Sequence, residues 1–99
     1  MDEIEITITQ LMWDDWNIDH IAWHNVVLEE VELSLSDPQA IFLQAKQGRL
    51  MILGLAKKRL ITPVLNAQET IGLYYVITAR DMSKKERAFY RSRKKEKNE

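Results

Sequence analysis

The chain has 99 residues, 45% of them hydrophobic and 29% charged, with three glycines, two prolines and no cysteine. This length and balance fit a single folded domain and exclude a disordered chain, disulfides and thiolate chemistry. The formal net charge is −1, but no lysine or arginine precedes Lys46, and nine basic residues stand against three acidic ones between Arg80 and Lys97. The basic end is compatible with a nucleic-acid backbone, although a solubilising tail is the commoner reason for such a run.

Nothing in the sequence predicts a membrane or secreted location. No apolar run approaches the roughly 20 residues needed to span a bilayer. The acidic start, Met1-Asp2-Glu3, differs from a secretion signal, and a chain without cysteine suits a reducing compartment. We therefore expect a cytoplasmic protein.

The amino-terminal segment from Glu3 to Thr9 alternates between isoleucine and polar residues. A period of two predicts a half-buried strand, with Ile4, Ile6 and Ile8 facing inward. The strand is expected to precede the first helix.

Two helices are predicted next. The first begins near Asp14 or Asp15, either of which can cap free backbone N–H groups. It ends at about Trp23 or His24, with Asn25 as a left-handed stop. The stretch that follows, residues 27–36, has apolar residues at helical spacing, although part of it also alternates like a strand. We favour a helix, ended by the turn signal Asp37-Pro38.

Four short apolar runs then predict an antiparallel meander, because the connections are too short for crossover helices. Pro63 is expected at an edge or a bulge of its strand. The runs are Ala40 to Ala45, Leu50 to Leu55, Leu60 to Leu65 and Leu73 to Ala79.

The last predicted element is a basic helix. Ser83 and Glu86 have the spacing of a capping box, so the helix begins at Ser83, and Tyr90 belongs to its short apolar surface. Beyond Arg91 nearly every residue is charged or polar. The sequence therefore predicts one α+β domain over residues 1–92 and a charged, disordered tail over residues 93–99.

Few residues offer catalytic chemistry. His20 and His24 lie four apart on one helix face, but no third ligand is evident, so neither a metal site nor a cofactor is expected. RNA cleavage by 2′-hydroxyl attack needs no metal. It needs a proton acceptor, cations for the charge at phosphorus and a proton donor for the leaving oxygen. A histidine, arginines and a tyrosine can fill these roles, although arginines at strand ends are more often solvated or paired with carboxylates.

Several motifs occur together between Trp13 and Tyr90. The carboxyl-terminal one is Ile77-Thr78-Ala79-Arg80 followed by Ser83, Glu86-Arg87 and Tyr90. Upstream stand Trp13-Asp14, the turn Trp23-His24-Asn25-Val26, Arg49 before a strand that ends in Gly54, and Arg59 before the next strand. In this order and spacing they resemble the BrnT family, small bacterial toxins of type II toxin–antitoxin systems with a RelE-like ribonuclease fold.

The resemblance implies an active site. His24 or Glu86 would accept the proton, Arg49 and Arg80 would stabilise the charge at phosphorus, and Tyr90 would donate a proton. Further cations expected to hold RNA are Lys46, Arg59, Lys84 and Arg87. The family's partner, a ribbon-helix-helix antitoxin, is likewise implied, and dimerisation stays open.

Two other interpretations remain. Trp23 and Asn25 stand where the family has lysine and glycine, which suits a diverged, non-catalytic module that binds a protein partner. A general RNA-binding protein is the third, for which aromatic stacking residues would be expected on the sheet. Of the adjacent Tyr74 and Tyr75, only one can face outward. In these interpretations Arg80 pairs with Glu86, His24 caps its helix, and Tyr90 packs on the sheet with its hydroxyl in water.

Overall fold

The computed structural model describes residues 2–97, and side-chain exposure for residues 3–93. Within this range the chain forms three helices, a short 3-10 turn and one mixed sheet of six strands, so the predicted α+β class is confirmed. The helices are α1 (Asp15–Ala22), α2 (Leu28–Leu35) and α3 (Lys84–Lys97), and the 3-10 turn is Lys46–Gly48. The strands are β1 (Asp2–Glu3), β2 (Gln10–Met12), β3 (Ile41–Gln44), β4 (Arg49–Ala56), β5 (Arg59–Ala67) and β6 (Leu73–Asp81).

Strands β3 to β6 form the predicted antiparallel meander, in the sheet order β1-β3-β4-β5-β6-β2. Of the two positions expected for Pro63, the edge is wrong, since β5 is an interior strand. The bulge is confirmed, because the register between β5 and β6 shifts between Val64 and Leu65, directly after the proline. A residue without a backbone N–H is tolerated where the ladder is already irregular.

The predicted strand from Glu3 to Thr9 is wrong. Strand β1 pairs with β3 at one edge of the sheet, and β2 pairs in parallel with β6 at the other edge. The intervening residues cross from edge to edge and belong to no strand. Ile4 and Ile8 still pack against the core, whereas Ile6 is 36% exposed. The alternation of isoleucine and polar residues therefore reflects contact of Ile4 and Ile8 with the core, and not strand pairing.

Both predicted helices in the first half are confirmed. Asp14 caps α1, because its Oδ1 accepts from the Asn17 backbone N–H at 2.9 Å, and Asn17 Oδ1 accepts the Asp14 N–H in return. The buried Asn17 amide also donates to the carbonyls of Met12 and Val76, which ties α1 to the sheet. Asn25 has a φ of 59° and stops the helix as expected.

The helices divide the sheet into two faces. Helices α1 and α2 cover one face over the larger core, and α3 packs on the other face over a smaller core. The larger core includes Ile21, Val31, Ile52, Ile61, Leu65 and Val76, and the smaller one consists of Ile41, Leu43, Leu53, Met82 and Tyr90.

The predicted capping box of the last helix is confirmed. Ser83 Oγ accepts from the Glu86 N–H at 3.2 Å, and Glu86 Oε1 accepts from the Ser83 N–H at 2.8 Å. The helix continues to Lys97, so it does not end at the domain boundary expected after residue 92. The last two residues of the expected tail lie outside the described range. Within residues 2–97 no helix is long and apolar enough to cross a membrane.

Helix α2 lies very close to β4 at Gly54. A Cβ built there would lie 2.4 Å from the backbone oxygen of Ser34, and this neighbour is helix backbone that cannot rotate away. Glycine is therefore required by packing at this position, although its φ is ordinary.

We predict that Gly54→Ala lowers the free energy of unfolding by about 2–3 kcal/mol, because the added methyl must push α2 off the sheet. Urea denaturation measures this. The control is Gly48→Ala, where no atom lies within 4 Å of the added Cβ but φ is +71°. Its free energy of unfolding should fall by only about 1 kcal/mol, because alanine is strained at this φ. Equal losses in the two variants would contradict the packing argument.

Candidate functional site

Arg80 and Glu86 form the central contact between β6 and α3. Arg80 Nη1 donates to Glu86 Oε1 at 2.7 Å, and Nη2 donates to Oε2 at 3.0 Å. The Thr62 hydroxyl on β5 donates to the same Oε1 at 2.9 Å, and so does the Ser83 N–H. Glu86 is only 6% exposed, so its carboxylate is a buried anchor that joins two strands to the helix.

This anchor is not a general base. Burial opposes ionisation of Glu86, but the hydrogen bonds from Arg80, Ser83 and Thr62 and the charge of Arg80 outweigh it and lower the pKa to about 2. A carboxylate with so low a pKa accepts a proton poorly at neutral pH. The structure therefore favours the alternative role of Arg80 and Glu86, in which the pair fixes the last strand to the last helix.

Tyr90 is also occupied within the fold. Its ring lies in the smaller core, and its hydroxyl donates to Asp37 Oδ2 at 2.6 Å. The same carboxylate accepts the backbone N–H groups of Leu55 and Gln39, so it joins α3 to the turn after α2. Burial, together with the hydrogen bond to Asp37 and its negative charge, raises the pKa of Tyr90 well above its usual range. A phenol held in this way is a poor proton donor for a substrate, and the expectation that its hydroxyl lies in water is also wrong.

His24 lies on the other side of the sheet. It follows α1, which packs on the face opposite α3, and its exposed ring is in edge contact with His20, with centroids 5.9 Å apart. His24, one of the two predicted proton acceptors, is therefore separated from Arg49 and Arg80 by the sheet itself. No side-chain hydrogen bond of His24 occurs among the described residues, so the capping role is not seen either.

Arg59 holds the α1–α2 turn to the sheet. Its guanidinium donates to the carbonyls of His24 and Asn25 and pairs with Glu30 on α2 and Asp81 on β6. Two carboxylates neutralise its charge. This structural role agrees with the expectation that arginines at strand ends pair with carboxylates, and it leaves Arg59 less available to RNA than predicted.

Arg49 is the predicted catalytic cation that is both exposed and without an ion pair among the described residues. It lies at the start of β4 on the same face as α3, beyond the helix, and its side chain is exposed. No carboxylate among the described residues forms an ion pair with it. Lys46 precedes it in the 3-10 turn and is exposed as well.

The part of this face that α3 leaves uncovered will be called the open face. It consists of Arg49, its partner Asn66 on β5, then Tyr75 and Thr78 on β6, and the partly exposed edge of Arg80. Tyr75 is the outward member of the tyrosine pair, and its hydroxyl donates to Asp14, whereas Tyr74 is buried. Asn66 and Thr78 were not singled out from the sequence, although each is a polar residue within an apolar strand, which was a usable signal.

The two arginines of the open face are separated but can meet one ligand. Their partners on β5, Asn66 and Thr62, are four residues apart. Two strand spacings of about 4.8 Å and a rise of about 3.3 Å per residue place the Cα atoms of Arg49 and Arg80 about 16 Å apart. Two extended arginine side chains cover most of that distance.

A second group of cations lines a pocket at the end of β4 opposite Arg49, which will be called the far pocket. Arg87 and Arg91 of α3 and Lys58 of the β4–β5 turn meet there over Leu60, in a pocket of about 320 Å³ that Arg59 and Asp81 complete. Lys58 and Arg91 were missed, although the run Lys57-Lys58-Arg59 in a predicted turn was a usable signal. Lys84 is exposed in the first turn of α3 and does not line this pocket.

The nine predicted site residues thus do not form one site, and Lys46, in the 3-10 turn, is grouped here with the open face that it borders. The open face holds Lys46, Arg49 and Arg80, the far pocket holds Arg59 and Arg87, and His24 is on the opposite side; Glu86 and Tyr90 lie inside the fold, and Lys84 stands apart. No protein-family model matches the chain, and no curated protein matches it significantly in sequence. The resemblance to BrnT toxins remains a prediction from motifs.

We predict that Glu86→Gln removes an acid-sensitive part of the stability. Because the folded pKa of about 2 lies below the unfolded value of about 4.3, ionised Glu86 contributes stability that is complete above about pH 4.5 and is lost as the pH falls toward 2. The wild type should lose on the order of 1–3 kcal/mol across that interval. The variant should start less stable at pH 7 and lose less on acidification, as measured by urea unfolding at each pH. The charge-matched control Glu5→Gln, at an exposed position, should follow the wild type.

Proposed function

We propose that this chain is a BrnT-like, metal-independent endoribonuclease of a toxin–antitoxin system, acting in the cytoplasm, and that RNA binds on the open face beside α3. The observation that carries the proposal is the position of Arg49 and Arg80 on one uncovered sheet face, together with the family-like spacing of the β6–α3 motif. The ribbon-helix-helix antitoxin is the proposed partner, on the strength of the resemblance alone.

The arginines would act by electrostatic stabilisation. Attack of a 2′-hydroxyl on phosphorus concentrates negative charge on the phosphoryl oxygens, and fixed N–H donors stabilise that charge. Arg49 has no ion pair among the described residues. Arg80 has five N–H donors, of which three are used by Glu86 and the Asp81 carbonyl, so two remain for a phosphate oxygen.

None of the residues that define the open face is a carboxylate or a histidine, and the Asp14 carboxylate is engaged by the hydroxyl of Tyr75. Glu86 is held as an ionised anchor, and His24 is on the opposite side of the sheet. In this mechanism the proton of the 2′-hydroxyl passes to solvent hydroxide, the 2′-oxygen bonds to phosphorus as the bond from phosphorus to the 5′-oxygen breaks, and water gives a proton to the leaving 5′-oxygen. The protein supplies binding and charge stabilisation. Such catalysis forgoes the factor of about 10²–10⁴ that a positioned base contributes.

A second candidate function is a non-catalytic BrnT-like module that binds a protein partner. The specific observation in its favour is that none of the three predicted acid–base residues, His24, Glu86 and Tyr90, is available on the open face. The two candidates differ in one measurable property, which is cleavage of RNA by the purified chain.

We predict that the purified protein cleaves single-stranded RNA in the presence of EDTA, and that Arg49→Ala slows cleavage by about 100-fold, the effect of removing one fixed donor of charge stabilisation. Denaturing gels of labelled RNA measure the rate. Arg49 is a cleaner probe than Arg80, because removal of Arg80 also leaves Glu86 buried without its partner. The control Lys57→Ala removes an equal charge from an exposed turn at the far end of β4. No cleavage by the wild type, with the fold intact, would reject the ribonuclease in favour of the second candidate.

We also predict that the rate rises about tenfold per pH unit between about pH 6 and 8.5, because hydroxide is the proton acceptor. His24→Ala should leave this profile unchanged. A bell-shaped profile that His24→Ala abolishes would show that the histidine reaches the substrate and that this mechanism is incorrect.

A further inference from the structure

Helix α1 carries an exposed row of aromatic rings on the side of the sheet opposite the proposed RNA face. Trp16 is 58% exposed and Trp23 is 81% exposed. His20 stacks on Trp16, with ring centroids 4.8 Å apart and planes 8° from parallel, and it contacts Trp23 at 5.7 Å and His24 at 5.9 Å. These four residues, called the aromatic ridge below, are spaced i, i+4, i+7 and i+8. Trp16 and His20 lie on α1, and Trp23 and His24 continue the same face into the turn that follows it.

The ridge is unusual for a surface of a monomer. Of the eight large hydrophobic residues that are exposed within residues 3–93, four lie on α1 or in the segment that follows it: Trp16, Ile18, Trp23 and Val27. Tryptophan is normally among the more buried residues, and clustered apolar exposure marks interaction sites. None of these rings belongs to either core, so they contribute little to the packing of the fold.

Exposed carboxylates border the ridge. A hollow of about 360 Å³ lies between Trp16, His20 and Trp23, and Asp19 forms its remaining wall. Asp15 is exposed on the same helix, and Glu29 is exposed on the next one. The first 45 residues contain no lysine or arginine to balance these carboxylates. Ring faces attract ammonium and guanidinium groups, and carboxylates at the border pair with them.

We propose that the aromatic ridge is a docking surface for a cationic amphipathic helix of a separate protein. The apolar side of that helix would lie on Trp16 and Trp23, and its lysines or arginines would reach Asp15 and Asp19. A symmetric dimer through this surface is disfavoured, because it would place one carboxylate-bordered surface against another. The inference rests on the ridge alone and holds whether or not the open face cleaves RNA.

The test uses the full chain and a fluorescein-labelled helical peptide of about 14 residues, with leucines on one face and lysines elsewhere. A matched peptide replaces every lysine with glutamate. We expect fluorescence anisotropy to show binding of the lysine peptide and at least tenfold weaker binding of the glutamate peptide. The double variant Trp16→Ala/Trp23→Ala should bind the lysine peptide at least tenfold more weakly, as expected for tryptophans at the centre of an interface.

Two matched control variants separate the effect of the ridge from a general loss of exposed apolar surface or of negative charge. Leu33→Ala/Ile71→Ala removes two exposed apolar side chains elsewhere, and it should bind the lysine peptide like the wild type. The double variant Asp15→Asn/Asp19→Asn should bind that peptide several-fold more weakly. Its control, Glu5→Gln/Glu69→Gln, makes the same charge change at exposed positions and should bind it like the wild type. Circular dichroism melts check that each variant folds.

Three results would overturn the proposal. The first is no binding of the lysine peptide, and the second is equal binding of both peptides. The third is a stable dimer in sedimentation experiments that Trp23→Ala dissociates and the lysine peptide does not displace, which would make the ridge a contact between copies of this chain.

Discussion

The buried carboxylate of Glu86 is the contact on which the second half of this fold depends. It accepts hydrogen bonds from Arg80 on β6, Thr62 on β5 and the backbone of Ser83, and so fixes the start of α3 against two neighbouring strands. One turn later, Tyr90 reaches Asp37 and joins the helix to the turn after α2. A buried charge is stable only when fully paired, and here each partner comes from a different element. The pairing therefore specifies where the helix lies as well as how firmly it is held.

The same contact limits the chemistry of the site. A carboxylate that anchors a helix is held ionised, so it is no longer a base near neutral pH. Tyr90 is held in a similar way by Asp37. Among the described residues, the charge that remains on the open face is that of Arg49 and the free edge of Arg80, and Tyr75 of this face donates its hydroxyl to Asp14. Fixed cations of this kind stabilise negative charge, so the proposed ribonuclease depends on electrostatics.

The division of the sheet by its helices also separates two kinds of surface. The side covered by α3 carries the cations of the open face and the far pocket. The opposite side carries an aromatic and acidic surface on α1. Arg59 links the two sides at the end of the sheet, since it holds the α1–α2 turn while bordering the cationic pocket. A ligand on one side and a partner on the other need not compete for the same residues.

The sequence by itself determined the local elements, because caps, turns and apolar periods are short-range signals. It predicted a cap at Asp14 or Asp15, the left-handed Asn25, the meander and the capping box of Ser83 and Glu86. These were confirmed, with Asp14 as the cap. It could not decide which face of the sheet each side chain occupies or which charges meet, since those depend on contacts between residues far apart in the chain. For that reason only the tertiary structure showed three features. These are the crossing path of residues 4–9, the separation of His24 from Arg49, and the ion pairs of Arg59 with Glu30 and Asp81.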